Sequence, residues 1–512
     1  MASSHPSHQD EEPAEEEPSL LDADEAGEEI PTDPDHPMNS DFDDDDDGPE
    51  LEIQLQNDSL AYFDAHSDSI FCIAQHPLHP HLIATGAGDD TTYIFSADIP
   101  TPVLPVSYES NPSPTPRASL PPVAKLTGHT DSINALAFTL PDGKYLATGG
   151  LDGRLRIHAT TSPNNAYPLI AESQEVPEIN FLTVNPSPAY PNTLALGAYD
   201  GSVWVYAINP EDDPQNPLQV LQAYYKHTEP CTAGAWTPDG KLLATVSEDG
   251  SFYVWDVFGE AAAAGLAGSG QGQALVGLTA EDQRFAVEGG LFSVAIAPSG
   301  AFAVVGGAGG MIRVVGLPRL SATSNASATQ SSKRGGAKNK PGGGKQAGGK
   351  QSGAAAASAG TAGQILASLQ AQSDSVETLS FSSPPLTLLA AGSVDGSIML
   401  FDIAHSFAVR RHIREAHEEY AVVQVEFASG QGQGHILTSC GLDGVVRRWD
   451  TRGGTTAGAQ GLMGEWRGHR GEGEGGGVLG FVQGGEGGRI VTGGDDAVAL
   501  VFDGGRPGGL RG

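Results

Sequence analysis

One pattern of polar and apolar residues recurs eight times along the chain. Seven of the copies have an acidic residue, usually followed by glycine, and the fifth has Gly309 in its place. In each copy a stretch follows in which apolar side chains alternate with others. The copies are AGDDTTYIF (87–95), GLDGRLRIH (150–158), AYDGSVWVY (198–206), SEDGSFYVWD (247–256), AGGMIRVV (308–315), SVDGSIMLFD (393–402), GLDGVVRRWD (441–450) and GDDAVALVFD (494–503). The alternation predicts β-strands, and Asp-Gly predicts a tight turn before each of them because glycine tolerates positive φ.

The spacing of the copies predicts a repeat architecture. Several turn acids follow one another at 48 or 49 residues, and periods of about 40–50 residues indicate units that stack or surround an axis. Longer steps carry insertions, which are Pro-rich at 100–122, Ala/Gly-rich at 259–282 and basic at 318–363. We expect the basic insertion to be disordered because it is rich in Gly, Ala and Lys and has no strand pattern.

Histidines precede five of the copies, namely His66, His129, His227, His417 and His469. Two copies carry a full polar set: His227, Thr245, Asp249 and Trp255 in the fourth, and His417, Ser439, Asp443 and Trp449 in the seventh. We expect a His–Asp hydrogen bond in each set, extended by the hydroxyl and the Trp N–H, that locks the strand loops. A hydrolase triad is a poorer interpretation, because catalytic sets do not recur along a chain. The pattern resembles that of WD-repeat proteins, which implies an all-β fold, an eight-bladed β-propeller.

The chain ends suggest how the ring closes. The last copy is one strand short of a four-stranded blade, and LEIQLQN (51–57) alternates apolar with polar residues. We therefore expect 51–57 to be the outer strand of the blade that contains 466–503, so that no sheet edge is left open. The propeller is then expected to span 51–505, between a disordered acidic tail at 1–50 and a short tail at 506–512.

Charge is the second informative feature of the chain. The net charge is −37, and the first 50 residues hold 20 Asp or Glu with no Lys or Arg, which leaves −17 for the other 462 residues. Such a field repels nucleic acid and anionic membranes and attracts basic partners.

Acidic residues cluster two positions after the repeat histidine, or at the equivalent place, with others beside them. In a propeller the loops with the histidine and the turns with the aspartate open on the same face. Any one of these acids could simply cap a turn. As a set, on the negative background, they predict an acidic face that pairs with arginine-rich segments. The predicted partner-binding residues are Asp68, Asp131, Glu229, Glu248, Asp374, Glu418 and Glu419, with Asp90 nearby.

Other kinds of site receive no support from the sequence. Cys72, Cys231 and Cys440 are far apart and odd in number, which argues against a disulfide framework or a zinc site and favours an intracellular location. No apolar stretch approaches about 20 residues, and the N-terminus lacks the features of a signal peptide. GKQAGGKQ (344–351) is one residue from a P-loop, with Gln351 at the metal-binding position, and we attribute it to chance. No catalytic site, cofactor or metal is expected, and the protein is expected to be a monomer.

The acidic head, the closing strand and eight repeats with few WD dipeptides resemble the family of the angio-associated migratory cell protein and its fungal members. The resemblance implies a dedicated chaperone in large ribosomal subunit assembly. Such a protein captures the basic N-terminal segment of a newly made ribosomal protein on its acidic face, in the cytoplasm, and nuclear entry is left open. Two alternatives remain: a histone or nuclear-assembly chaperone, and a WD-repeat scaffold or adaptor in a signalling complex, which would need an apolar or phosphopeptide-reading face.

Overall fold

The structure is a computed structural model. It describes residues 56–99, 117–160, 167–263, 274–320, 361–370, 372–430, 432–452, 461–470, 476–484 and 488–505. The predictions for the acidic tail at 1–50, for GKQAGGKQ (344–351), for most of the basic insertion and for the tail at 506–512 lie outside these residues.

Strands account for nearly all of the regular structure in the described ranges. They are joined by turns, by one short helix, α1 (Glu260–Ala263), and by 3₁₀ turns at Ala308–Gly310 and Ile403–His405. The strands before α1 are β1 (Ala61–Phe63), β2 (Ile70–Gln75), β3 (Leu82–Ala87), β4 (Thr92–Ser96), β5 (Ala118–Ser119), β6 (Pro122–Leu126), β7 (Ile133–Phe138), β8 (Tyr145–Gly150), β9 (Leu155–Ala159), β10 (Leu169–Ser173), β11 (Ile179–Val184), β12 (Thr193–Ala198), β13 (Val203–Ile208), β14 (Leu218–Tyr224), β15 (Cys231–Trp236), β16 (Leu242–Ser247) and β17 (Phe252–Asp256). Those after it are β18 (Ala274–Leu278), β19 (Leu291–Ile296), β20 (Phe302–Gly307), β21 (Met311–Gly316), β22 (Ile365–Gln370), β23 (Val376–Phe381), β24 (Leu388–Ser393), β25 (Ile398–Asp402), β26 (Ala408–Ile413), β27 (Val422–Phe427), β28 (Ile436–Gly441), β29 (Val445–Asp450), β30 (Leu462–Arg467), β31 (Val478–Gln483), β32 (Arg489–Gly494) and β33 (Ala499–Asp503).

These strands form eight antiparallel sheets, which confirms the predicted eight-bladed propeller. Blade 1 is β2-β3-β4-β6, and blades 2 to 7 each take four consecutive strands, from β7–β10 through β27–β30. Blade 8 is β31-β32-β33-β1, with the two-residue β5 added parallel to β1 at its outer edge. Because each blade presents its faces to two neighbours, its strands are apolar on both sides, and the cores lie between blades. One such core joins Leu242 and Phe252 of blade 4 to Leu291 and Val305 of blade 5.

Closure by an N-terminal strand is confirmed, but the predicted position of that strand, 51–57, is wrong. The closing strand is β1, which pairs antiparallel with β33 so that Phe63 lies opposite Ala499. Gln56 and Asn57 precede it outside any strand. Phe63 is fully buried and stacks on Phe95 with 4.4 Å between the ring centroids. Where a repeat histidine is present, the outer strand that precedes it ends two to four residues before it, as Phe63 does before His66. This constraint outweighs the alternation at 51–57.

Side chains on the innermost strands join blades 2, 3, 4 and 5 to one another around the axis. Asn134 donates to the carbonyl of Asn180 at 3.2 Å, and Asn180 donates to the carbonyl of Cys231 at 3.1 Å. Thr232 then donates to the carbonyl of Leu291 at 2.7 Å. These bonds link the upper ends of the inner strands, where the loops of the candidate site end.

Candidate partner-binding face

Two kinds of loop meet on one face of the ring, which we call the upper face. They are the loops before the inner strands and the turns between the second and third strands of each blade. In all eight blades a backbone N–H of the turn donates to a carbonyl of the loop, at 2.9 to 3.2 Å. The pairs are Gly88–Ser69, Leu151–Ser132, Tyr199–Glu178, Glu248–Pro230, Ala308–Gly290, Val394–Ser375, Leu442–Ala421 and Asp495–Gly477. This repeated bond defines equivalent positions around the upper face.

Buried histidines link the loop to the turn in blades 1, 2 and 8. The Nδ1 of His66 donates to the carboxylate of Asp89 at 3.1 Å, and its Nε2 accepts from the hydroxyl of Thr85 at 2.9 Å. Blades 2 and 8 repeat this arrangement with His129, Asp152 and Thr148, and with His469, Asp496 and Thr492.

The seventh blade forms the full polar set that its sequence predicts. His417 contacts Asp443 at 2.9 Å and Ser439 at 2.8 Å, and the indole N–H of Trp449 donates to Ser439 at 2.9 Å. The guanidinium of Arg447 also pairs with Asp443. Burial alone would raise the pKa of Asp443, but the hydrogen bond from His417 and the charges of His417 and Arg447 outweigh it and hold the pKa at about 2.

In blade 4 the expected direct His–Asp hydrogen bond is not formed. The Nδ1 of His227 lies 3.9 Å from Asp249 and donates instead to the hydroxyl of Ser251 at 2.6 Å. Asp249 accepts from the backbone N–H of Thr228 at 2.7 Å and of Ser251 at 2.8 Å. The remainder of the set is present, because the hydroxyl of Thr245 contacts both His227 and Trp255 at 2.8 Å. Ser251 follows the turn directly and is almost completely buried, which places its hydroxyl closer to the His227 ring than the carboxylate of Asp249 is.

The other blades hold the same loops by different means. In blade 6 Gln372 takes the histidine position and donates to the hydroxyl of Ser397 at 3.1 Å, while Asp395 accepts from the backbone of Ser373 at 2.8 Å. In blade 3 the turn is closed locally, with the hydroxyl of Ser202 donating to Asp200 at 2.6 Å.

The predicted binding acids fall into two groups by what their carboxylates contact. Asp68, Asp131 and Asp374 each accept from the N–H of the following residue, at 2.7 to 2.8 Å, so that each caps a turn and keeps one oxygen exposed. The other four are exposed and form no side-chain hydrogen bond or ion pair with the described residues: Glu229, Glu248, Glu418 and Glu419. The structure brings all seven to the upper face, in the loops of blades 1, 2, 4, 6 and 7 and in the turn of blade 4.

Further acids on this face were missed by the sequence analysis. Asp495 occupies in blade 8 the position that Glu248 occupies in blade 4, and Glu178 lies in the shorter loop of blade 3. Asp495 directly precedes a turn aspartate, as Glu248 does, and that signal could have identified it. Glu377 follows on the inner strand of blade 6, where burial and then the charge of Asp374 raise its pKa.

Like charges on the face are close enough to affect one another. The pKa of Asp90 is raised by burial and then by the negative charges of Asp131, Asp89 and Asp152. A cation that binds among these carboxylates relieves their repulsion, which favours basic ligands at this edge of the face.

Other kinds of site are not evident in the described ranges. They contain no group of three His, Cys, Asp or Glu that could hold a metal ion. No helix within them is long and apolar enough to cross a membrane.

Comparison with known proteins agrees with this architecture. The family model for the WD domain, G-beta repeat, matches residues 57–96, 120–158, 217–256 and 363–402. The solved structure of Sqt1 from Chaetomium thermophilum is 51% identical, with a TM-score of 0.72, and covers 88% of this chain and 98% of that one. This chain belongs to the Sqt1 family of WD-repeat proteins.

Curated relatives extend the Sqt1 family to other organisms. The ribosome assembly protein SQT1 of Saccharomyces cerevisiae is 32% identical over 218 residues, which are 42% of this chain and 45% of the yeast protein's length. The human angio-associated migratory cell protein is 25% identical over 446 residues, 87% of this chain and 80% of its own. A second structure shows the Chaetomium protein bound to the N-terminus of the ribosomal protein L10, at 51% identity, a TM-score of 0.71, and coverage of 88% of this chain and 100% of that one.

Proposed function

We propose that this protein is a chaperone in large ribosomal subunit assembly that binds the basic N-terminal segment of newly made ribosomal protein L10 on its upper face. The observation that carries the proposal is the set of exposed carboxylates around that face. The relative that is 51% identical over nearly its whole length was solved with this segment of L10 bound, which supports the same partner here. The function belongs in the cytoplasm, where ribosomal proteins are synthesised.

The residues proposed to bind are the seven acids predicted from the sequence, joined by Glu178, Glu377 and Asp495. Carboxylates such as Glu229 and Glu248 are exposed and contact no described cation, so their oxygens are available to the forked donors of an arginine. Asp68, Asp131 and Asp374 are held in position by their turn-capping bonds, which reduces the entropy lost on binding. The turn aspartates, such as Asp443, hold the loops in place and are not proposed to contact the partner.

Charge complementarity also provides a route to release. A basic ribosomal segment that is free in the cytoplasm binds RNA nonspecifically, and the carboxylates prevent this by occupying its cations. The phosphates of ribosomal RNA are a denser array of negative charge and displace the carboxylates when the segment reaches its site. The propeller itself, with its negative field, does not compete for the RNA.

Purification of the tagged protein from translating cells tests the proposal. L10 is expected as the main copurifying protein, and RNase treatment should not remove it because the contact is between proteins. The variant in which Glu248 and Glu419 are both changed to lysine should fold normally and lose L10. Recovery of histones in place of L10, or loss of L10 on RNase treatment, would contradict the proposal.

A further inference from the structure

Large apolar side chains are exposed among the acids of the upper face. Tyr199 and Leu442 are 55% and 39% exposed, and each donates the backbone bond that marks the turn position of its blade. Glu248 and Asp495 occupy the same position in the blades that follow them, so each apolar side chain has an acid as its neighbour around the ring. Val394 and Leu151, partly exposed, also occupy this position.

Phe71 adds an aromatic ring closer to the axis. It is the second residue of β2 and is 41% exposed. A Cβ atom built on Gly88 would lie 3.2 Å from the Phe71 ring and 2.9 Å from the Asp68 carboxylate carbon, so ring and carboxylate lie side by side over this glycine. Blade 1 has a glycine, Gly88, at the turn position, and the absence of a side chain there leaves the Phe71 ring uncovered.

These positions are costly places for apolar groups unless a partner covers them. Surface apolar residues are ordinary when scattered singly, but here they recur at equivalent positions, and Tyr199 and Leu442 each lie beside an exposed carboxylate.

We propose that the upper face is amphipathic, and that it selects extended segments in which basic residues are interspersed with aromatic or large apolar residues. The proposal rests on the function proposed above and defines the partner more narrowly. Carboxylates supply the attraction to cations, which salt screens. Tyr199, Leu442 and Phe71 supply apolar contacts that salt does not weaken. The face binds more weakly a segment that is equally basic but has only small polar residues between its cations, like many basic tails.

Two synthetic peptides of equal length and charge test this proposal by calorimetry. In one, four arginines alternate with tyrosines, and in the other, the tyrosines are replaced by serines. The wild-type protein is expected to bind the Arg/Tyr peptide about tenfold more tightly at physiological salt, since burying one or two large side chains contributes that much. Tyr199→Ser and Leu442→Ser should each reduce this preference about threefold and leave binding of the Arg/Ser peptide unchanged.

A matched control and the salt dependence separate this proposal from the broader one. Leu169→Ser changes a side chain that is 43% exposed on the outer strand of blade 2, and it should affect neither peptide. The slope of log affinity against log salt should be the same for wild type and Tyr199→Ser, because no charge is removed. Glu248→Lys should weaken both peptides and flatten that slope.

The outcomes distinguish the two proposals. If Glu248→Lys weakens both peptides, while Tyr199→Ser and Leu442→Ser weaken neither or weaken both equally, the face binds by charge alone and the amphipathic proposal is wrong. If the wild-type protein binds the two peptides equally, that proposal is likewise wrong. If Glu248→Lys has no effect on either peptide, the function proposed for the acidic face fails as well.

Discussion

Aspartates on the upper face differ in what their oxygens contact, and this decides which of them stabilise the fold. The buried carboxylate of Asp443 accepts a hydrogen bond from His417 and pairs with Arg447, and its pKa is about 2. Asp68 accepts one local N–H and is otherwise exposed. We therefore propose that the turn aspartates stabilise the fold and that the loop acids bind the partner, although both lie on the same face.

Replacing Asp443 tests the assignment of the turn aspartates. Its folded pKa lies below the ordinary value of 3.8, so its contribution to stability is present above about pH 4 and is lost as the pH falls toward 2. Asp443→Asn should lower the free energy of unfolding by about 2 kcal/mol at pH 7 and by progressively less below pH 4. Urea denaturation at pH 7 and pH 3 measures this. The control Asp68→Asn should change stability by less than about 0.5 kcal/mol. An equal effect of the two substitutions would contradict the assignment.

Glu426 gives the opposite pH dependence. It lies on β27 between blades 7 and 8, where the side-chain amide of Gln483 donates to its backbone carbonyl, and burial raises the pKa of its carboxyl to about 7. A raised pKa stabilises the fold below the ordinary value of 4.5, and this stabilisation is lost as the pH rises through 7. In the wild-type protein the free energy of unfolding should therefore fall by about 1–3 kcal/mol between pH 5 and pH 8 because of this group, and Glu426→Gln should not show this decrease. The exposed control Glu419→Gln should keep that fall, and the prediction is wrong if both variants do.

The sequence predicted the hydrogen-bond partners correctly in most polar sets. The exception is the Nδ1 atom of His227, which bonds to Ser251 and not to Asp249. The spacing of His, Thr or Ser, and Asp identifies the residues because the repeat places them at equivalent points. It does not determine which acceptor a histidine nitrogen reaches. In blade 4 the Ser251 hydroxyl is 2.6 Å from His227 while Asp249 is 3.9 Å away, and this difference depends on the packing of the turn.

At the scale of the elements, the closing strand connects the start of the described chain to its end. β1 has three residues, yet it covers the edge of β33 and buries Ala61 and Phe63 completely. The backbone N–H of Asp58 and that of Leu60 extend the contact, to the carbonyls of Arg467 at 2.8 Å and of Val501 at 2.8 Å. Because this hydrogen-bonded pairing closes the ring, we expect the short strand to have a large effect on the cooperativity of unfolding.

Truncation at two points tests the position of the closing strand. Removing residues 1–54 should leave the melting temperature unchanged, whereas removing 1–65 exposes the edge of β33 and should give an unfolded or aggregated protein. Phe63→Ala within the full chain should cost about 3–5 kcal/mol, as expected for a large buried ring. Leu60→Ala, at a position that is 41% exposed, is the matched control and should cost less than about 1 kcal/mol. Equal stability of the two truncations would contradict this closure.

The sequence predicted the kind and number of elements better than their limits. The number of blades was predicted correctly because each blade has one turn of this kind, with an aspartate in seven copies and Gly309 in the fifth. The predicted strand at 51–57 was wrong because alternation of apolar and polar residues does not show how far a strand lies from the loop that follows it. Phe63 ends β1 three residues before His66, as Tyr224 ends β14 three residues before His227. The first and last residues of a strand depend on the length of the adjoining loops, and the pattern of apolar and polar residues within the strand does not give that length.

At the scale of the whole molecule, the ring brings together residues that lie far apart in the chain. Asp68 and Glu419 belong to different repeats, yet both lie in loops of one face. Seven of the acids could be predicted from the sequence because their charge and their spacing within the repeat are visible in the copies that carry them. It missed the exposed Tyr199 and Leu442, because an apolar residue beside a turn is ordinarily buried and only the structure shows these two uncovered.

The most direct test is the affinity of the N-terminal peptide of L10 for charge-reversed propellers. By calorimetry, Glu248→Lys and Glu419→Lys should each weaken binding at least about tenfold, since losing one charged partner at an interface costs about 2–5 kcal/mol. The matched control is Asp212→Lys, an exposed acid in the loop between β13 and β14 on the opposite face, and it should have little effect. Affinity should fall steeply with added salt for wild type and less steeply for the two upper-face variants. Unchanged affinity in both upper-face variants, or an equal loss in Asp212→Lys, would contradict the upper face as the binding site.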